Sequence, residues 1–90
     1  MNIVSKQFSD EWTDLAAAIV GQACRDYLHA LVLHYRHPEK QDPILIIRSC
    51  EKFFRSAWFG VLCNLDASLI LNELRIRAIK RVERRAWDDE

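Results

Sequence analysis

Only two glycines and two prolines occur among the 90 residues. So few turn formers exclude a collagen-like or low-complexity chain and speak against a turn-rich all-β fold. Long apolar runs are missing too. The longest, residues 15–20 and 44–47, fall far short of the roughly 20 residues that cross a bilayer. Net charge is absent: 13 basic residues balance 13 acidic ones, whereas a dedicated DNA binder is normally basic overall. A single methionine, Met1, leaves no thioether metal site. Cysteine is scarce and odd in number, as Cys24, Cys50 and Cys63, with no close pair. Residues 1–5 lack the charged-then-apolar order of a secretory leader. Free, mostly buried thiols in a reducing, cytoplasmic setting are therefore expected.

What is present describes one globular domain. Half the residues are hydrophobic and 29% are charged, which suits a packed core rather than disorder. Three Trp, four Phe and two Tyr are many for the few interior positions of so short a chain. Some aromatic surface is expected to meet another chain or a ligand, most simply in a homo-oligomer that is a twofold dimer.

The apolar spacing predicts an all-α fold: a small bundle of three main helices plus a short connecting one. Residues 1–8 read as a flexible arm, with Ser9 capping a long helix over about 10–36. Its stripe includes Trp12, Leu15, Ile19, Ala23, Tyr27, Leu31 and His34. Gly21 is expected to admit a neighbouring helix closely. Residues 37–43 hold both prolines and break the pattern. Asp42 and Pro43 then suit the start of a second helix, apolar around so much of its circumference that it reads as central or as packed on two sides. Ser56 is expected to cap a short helix over 57–62. Asp66 opens a last helix over about 67–86, followed by an acidic tail within residues 86–90.

The balanced charge hides a block. Arg75, Arg77, Lys80, Arg81, Arg84 and Arg85 fall within eleven residues that hold one acid, Glu83. Arg77, Lys80, Arg81, Arg84 and Arg85 repeat at one to four residues, so several share a helical face able to neutralise phosphates. The plainer reading is a solvated helix end whose positive charge suits the dipole, with Glu73 and Arg77 paired. His34 and His37 have the spacing to share a metal, but no flanking ligand stands at a known interval, and no metal or other cofactor is expected. Catalytic signatures are missing: there is no Gly-rich phosphate loop, nucleophile elbow or HExxH. Cys24, Asp26 and His29 would point to different faces of one helix, so no catalytic residue is assigned and the chain reads as a non-enzyme.

The densest feature is Phe53-Phe54-Arg55-Ser56-Ala57-Trp58-Phe59. Arg55, Trp58 and Phe59 have the composition of a binding hot spot. Alternatively the aromatics fill a core corner and Arg55 ties loop carbonyls. With the following Asp66 turn, and with Ala23, Arg25, Asp26 and Tyr27 in the first helix, the motif resembles a group of small uncharacterised Firmicutes phage and prophage proteins. The likeness spans about residues 15–75. Those proteins often place Gly after the turn's Asp, where this chain has Ala67. The resemblance implies a phage accessory protein in the cytoplasm of a bacterial host. Such a protein would bind and inhibit a host factor, an anti-defence, anti-CRISPR-like role. Nucleotide or nucleic-acid binding through the basic helix is the alternative.

Overall fold

Four helices follow one another in this computed structural model, which describes the backbone of residues 3–88 and the side chains of residues 11–84. They are α1 (Ile3–Arg36), α2 (Asp42–Phe54), α3 (Ala57–Leu62) and α4 (Ala67–Asp88). Among the described residues there is no strand. The expected all-α bundle of three main helices and one short one is the observed architecture.

Helix α1 is longer than its spacing suggested. Residues 3–8 are helical rather than an extended arm, and Ser9 lies inside the helix instead of capping it. No Gly or Pro stands between Ile3 and Val20, so nothing interrupts the i→i−4 ladder. At the far end His37 N–H donates to the Leu33 carbonyl at 2.8 Å, and Lys40 N–H closes a turn onto His37 at 3.0 Å. Gln41, not Asp42, is the N-cap of α2, with no side-chain cap bond, and Pro43 sits buried in the first turn. Missing its own N–H, Pro43 leaves no donor there to satisfy.

The caps around α3 are side-chain devices. Ser56 Oγ accepts from Phe59 N–H at 3.3 Å and donates to the Phe53 carbonyl at 2.6 Å. One hydroxyl thus stops α2 and starts α3. Asp66 Oδ1 accepts from Ser68 N–H at 2.8 Å, so the turn keeps its cap although Ala67 follows.

The direction of α4 follows from two contacts. Leu65, just before it, lines a groove with Ala16, Ala17 and Val20, while Arg75 within it meets Tyr27. Helix α4 therefore runs parallel to α1, and α2 runs back between their ends. Helix α1 packs on all three others, whereas α2 and α4 barely touch. The central helix is α1, not α2. Outward residues of α2 remain in solvent, with Leu45 63% and Ile46 43% exposed. Leu69, Ile76 and Ile79 on α4 are likewise exposed.

The core gathers around Tyr27, Leu31, Phe54, Phe59, Leu71 and Ala78. Phe54 packs edge-on against Tyr27, Phe53 and Phe59, with centroids 5.3–6.2 Å apart, the arrangement that aromatic quadrupoles favour. No neighbouring helix approaches Gly21 closely: a Cβ there would meet only Arg25 Nη1, at 3.5 Å. Around Gly60 a Cβ would meet nothing within 4 Å. Gly60→Ala should therefore stabilise the protein by about 0.5–1 kcal/mol, because alanine restricts the unfolded chain and suits the helix. A urea titration reads this as a higher midpoint at unchanged slope.

Candidate functional site

The aromatic motif divides at its corner. Phe54 (1% exposed) and Phe59 (3%) are core, while Trp58 stands 48% exposed. Phe59 is thus corrected from recognition residue to core residue: it follows Ser56 by three, and the cap turns that position inward onto Phe53 and Phe54. Arg55 and Trp58 stay outside. Arg55 reaches back to Glu51 Oε1 at 3.8 Å, with its side chain 64% exposed, rather than tying loop carbonyls. Trp58 packs edge-on against Trp12 of α1, centroids 6.1 Å apart at 76°.

The basic block divides as well. Arg77, Lys80, Arg81 and Arg84 are all exposed and line one shallow concavity of about 240 Å³ on α4. Glu73 holds Arg77 Nε at 3.1 Å, the expected i,i+4 pair. The Arg85 side chain lies outside the described residues. Four cations on one face attract anions along the whole helix edge, and each phosphate bound releases condensed counterions.

Arg75 leaves this face and turns inward. Its Nε donates to the Tyr27 hydroxyl at 3.0 Å and its Nη2 to Glu51 Oε2 at 3.1 Å. Tyr27 donates to the same Glu51 oxygen at 2.7 Å. One residue from each long helix thus closes a triangle above the core. Burial would raise the Glu51 pKa, but the hydrogen bonds from Tyr27 and Arg75 and the Arg75 charge outweigh it and hold the carboxyl below its ordinary range. Burial, aided by the Glu51 hydrogen bond, pushes the Tyr27 phenol up to about 12. The triangle was readable in principle. Tyr27, Glu51 and Arg75 each sit within an apolar stripe, beside Ala23 and Leu31, Cys50 and Phe54, and Leu74 and Ala78. Opposite charges inside such stripes are costly unless they meet.

Burial and the neighbouring Cys63 push the Cys24 thiol up, against the pull of Arg25 and Arg77. Asp26 accepts from Gln22 Nε2 at 2.8 Å instead of orienting His29. Cys50 is buried and its thiol is also raised, by burial first and then by Asp26. Among the described residues no group of three His, Cys, Asp or Glu side chains is arranged to hold a metal ion. His37 instead lies 3.5 Å from Glu39. No helix of the described residues is long and apolar enough to cross a membrane.

Compared with protein-family models, curated proteins and solved structures, the chain matches none.

Proposed function

We propose that this chain is a non-enzymatic accessory protein of phage or prophage origin. It acts in the cytoplasm of a bacterial host by binding and inhibiting a host protein, with host defence as the target class. The observation that carries this reading is the Arg55–Trp58 corner. Both side chains are exposed, and they flank a cap whose neighbours Phe54 and Phe59 are locked in the core. A rigidly mounted Trp–Arg pair presents large contact area and a charged fork at low entropic cost, the chemistry of interface hot spots. The fitting partner offers an apolar pocket for the indole and a carboxylate for the guanidinium.

Affinity capture from bacterial cells tests this, using wild type, an Arg55→Glu/Trp58→Ala variant and an Arg81→Glu/Arg84→Glu variant. The expected result is one stoichiometric host protein, lost with the first variant and kept with the second. The same proteins captured by wild type and by Arg55→Glu/Trp58→Ala would sink the reading.

The cationic concavity on α4 favours a second reading, binding of a nucleotide or of nucleic-acid phosphate. On that reading a native mass spectrum carries a nucleotide-sized excess. Affinity for a fluorescent oligonucleotide then falls steeply with salt, and reversing Arg81 and Arg84 lowers the salt slope by about 2. Binding that ignores both salt and charge reversal excludes it.

A further inference from the structure

Helix α4 carries a second stripe besides the one it buries. Leu71, Leu74 and Ala78 face the core. Leu69, Asn72, Ile76, Ile79 and Glu83 follow one another at alternating steps of three and four residues, the spacing of a coiled-coil seam. All five are exposed, with Leu69 at 68%, Ile79 at 45% and Ile76 at 38%. A solvated helix face does not ask for isoleucine, which is a weaker helix former than the Lys, Glu and Arg around it and leaves apolar area in water.

The polar members of this seam select its occupant. A twofold axis crossing α4 between residues 77 and 78 sets a second α4 antiparallel to the first. Ile76 then meets Ile79 of the second copy, and Ile79 meets Ile76. The next layer on either side sets Asn72 against Glu83, an amide donor against a carboxylate acceptor. Glu73 and Lys80 lie seven residues apart, so they flank the seam on the same edge. Each Glu73 comes beside the Lys80 of the second copy.

Other arrangements bring like charges together. Parallel helices would set Glu83 against Glu83 inside the seam and Arg75 beside Lys80 at its edge. Moving the antiparallel axis by one turn sets Glu73 against Glu73 in one direction and Lys80 against Lys80 in the other. The stripe is therefore complementary to itself in one register.

We infer that a second copy of this chain packs on the Asn72–Glu83 face of α4, α4 against α4 in antiparallel register, with Ile76 on Ile79 at the centre and two Glu73–Lys80 pairs along one edge. The interface is isologous, as twofold symmetry requires. Arg55 and Trp58 take no part in it. Lys80 also lines the cationic concavity, but the readout below is subunit number, so this inference and the proposed function fail separately.

Sedimentation equilibrium of the full chain tests it, with far-UV circular dichroism to verify helicity. A dimer is expected at about 100 µM, where an association of micromolar Kd is nearly complete. Ile76→Glu should leave a helical monomer, since this side chain is exposed in the single chain. Glu73→Lys should weaken the dimer by at least about tenfold, because like charges now face each other. Glu73→Lys combined with Lys80→Glu should restore it, which loss of folding could not do. A monomeric wild type overturns the inference, as does a dimer that Ile76→Glu leaves intact. Failure of the double swap to recover a dimer lost in Glu73→Lys overturns the antiparallel register.

Discussion

Phe54→Ala should cost about 3–5 kcal/mol, the usual range for truncating a fully buried aromatic. A domain of this length has a total stability of only about 5–14 kcal/mol, so the variant sits near its unfolding threshold. The reason for the upper range is local. Phe54 is 1% exposed and meets Tyr27, Phe53 and Phe59 edge-on. Its removal forfeits apolar burial and three aromatic contacts, and α1, α2 and α3 all line the resulting cavity. Collapse around it is opposed by the Tyr27 hydroxyl, which is already committed to Glu51. Thermal melting followed by circular dichroism gives the measurement. A loss below about 1.5 kcal/mol, the range of well-tolerated core swaps, would mean that the aromatic cluster is not the centre of the fold.

Glu51→Ala has the next largest expected effect, about 1–3 kcal/mol, because it strands two donors at once. The Tyr27 hydroxyl loses its acceptor inside the core, and Arg75 loses its counter-charge. The Arg75 side chain is 40% exposed, and solvent screening keeps the effect from reaching the penalty of a fully buried ion. The same triangle sets a pH window. Glu51 has a folded pKa below its unfolded one, so its contribution is complete above the unfolded value of 4.5 and is lost as pH falls through the folded pKa. Tyr27 has a folded pKa raised from 10.0 to about 12. Its contribution is therefore complete below pH 10 and is lost as pH rises toward 12. Stability from this triangle should be level between about pH 5 and 10 and fall on both sides. Absorbance titration reads this directly: the Tyr27 phenol should ionise well above its ordinary value in wild type and move down in Glu51→Ala.

Helix positions were the most legible part of the sequence. Caps at Ser56 and Asp66 are short-range hydrogen bonds between a side chain and a backbone two or three residues on, and such bonds depend on local sequence alone. The start of α1 was not legible because Ser9 carries a cap signature in a segment where nothing stops the helix earlier. The rank of the helices was misread for a different reason. Apolar residues around the whole of α2 suggested burial on two sides, yet Leu45 and Ile46 stand in solvent. A count of apolar residues does not say which face finds a neighbour within the same chain. The candidate site split along similar lines. Arg55, Trp58, Arg77, Lys80, Arg81 and Arg84 are exposed as their composition suggested. Phe59 and Arg75 turned inward because a cap and a cross-helix partner, features of the tertiary structure, decide their directions.

That α1 touches every other helix while α2 and α4 scarcely meet has a bearing on how the chain can change over time. In a bundle where all helices share one seam, a substitution on any of them is felt by the rest. Here α2 and α4 are joined directly by the Glu51–Arg75 pair, and their outward sides otherwise couple through the spine. Leu45 and Leu69 can drift independently, because the effects of distant sites without shared partners add. The inner face of α1 from Ala16 to Val32 carries the constraint for the whole chain. Packing within one chain therefore lets variation among natural versions of this protein collect on two separate surfaces, while one helix face stays nearly still.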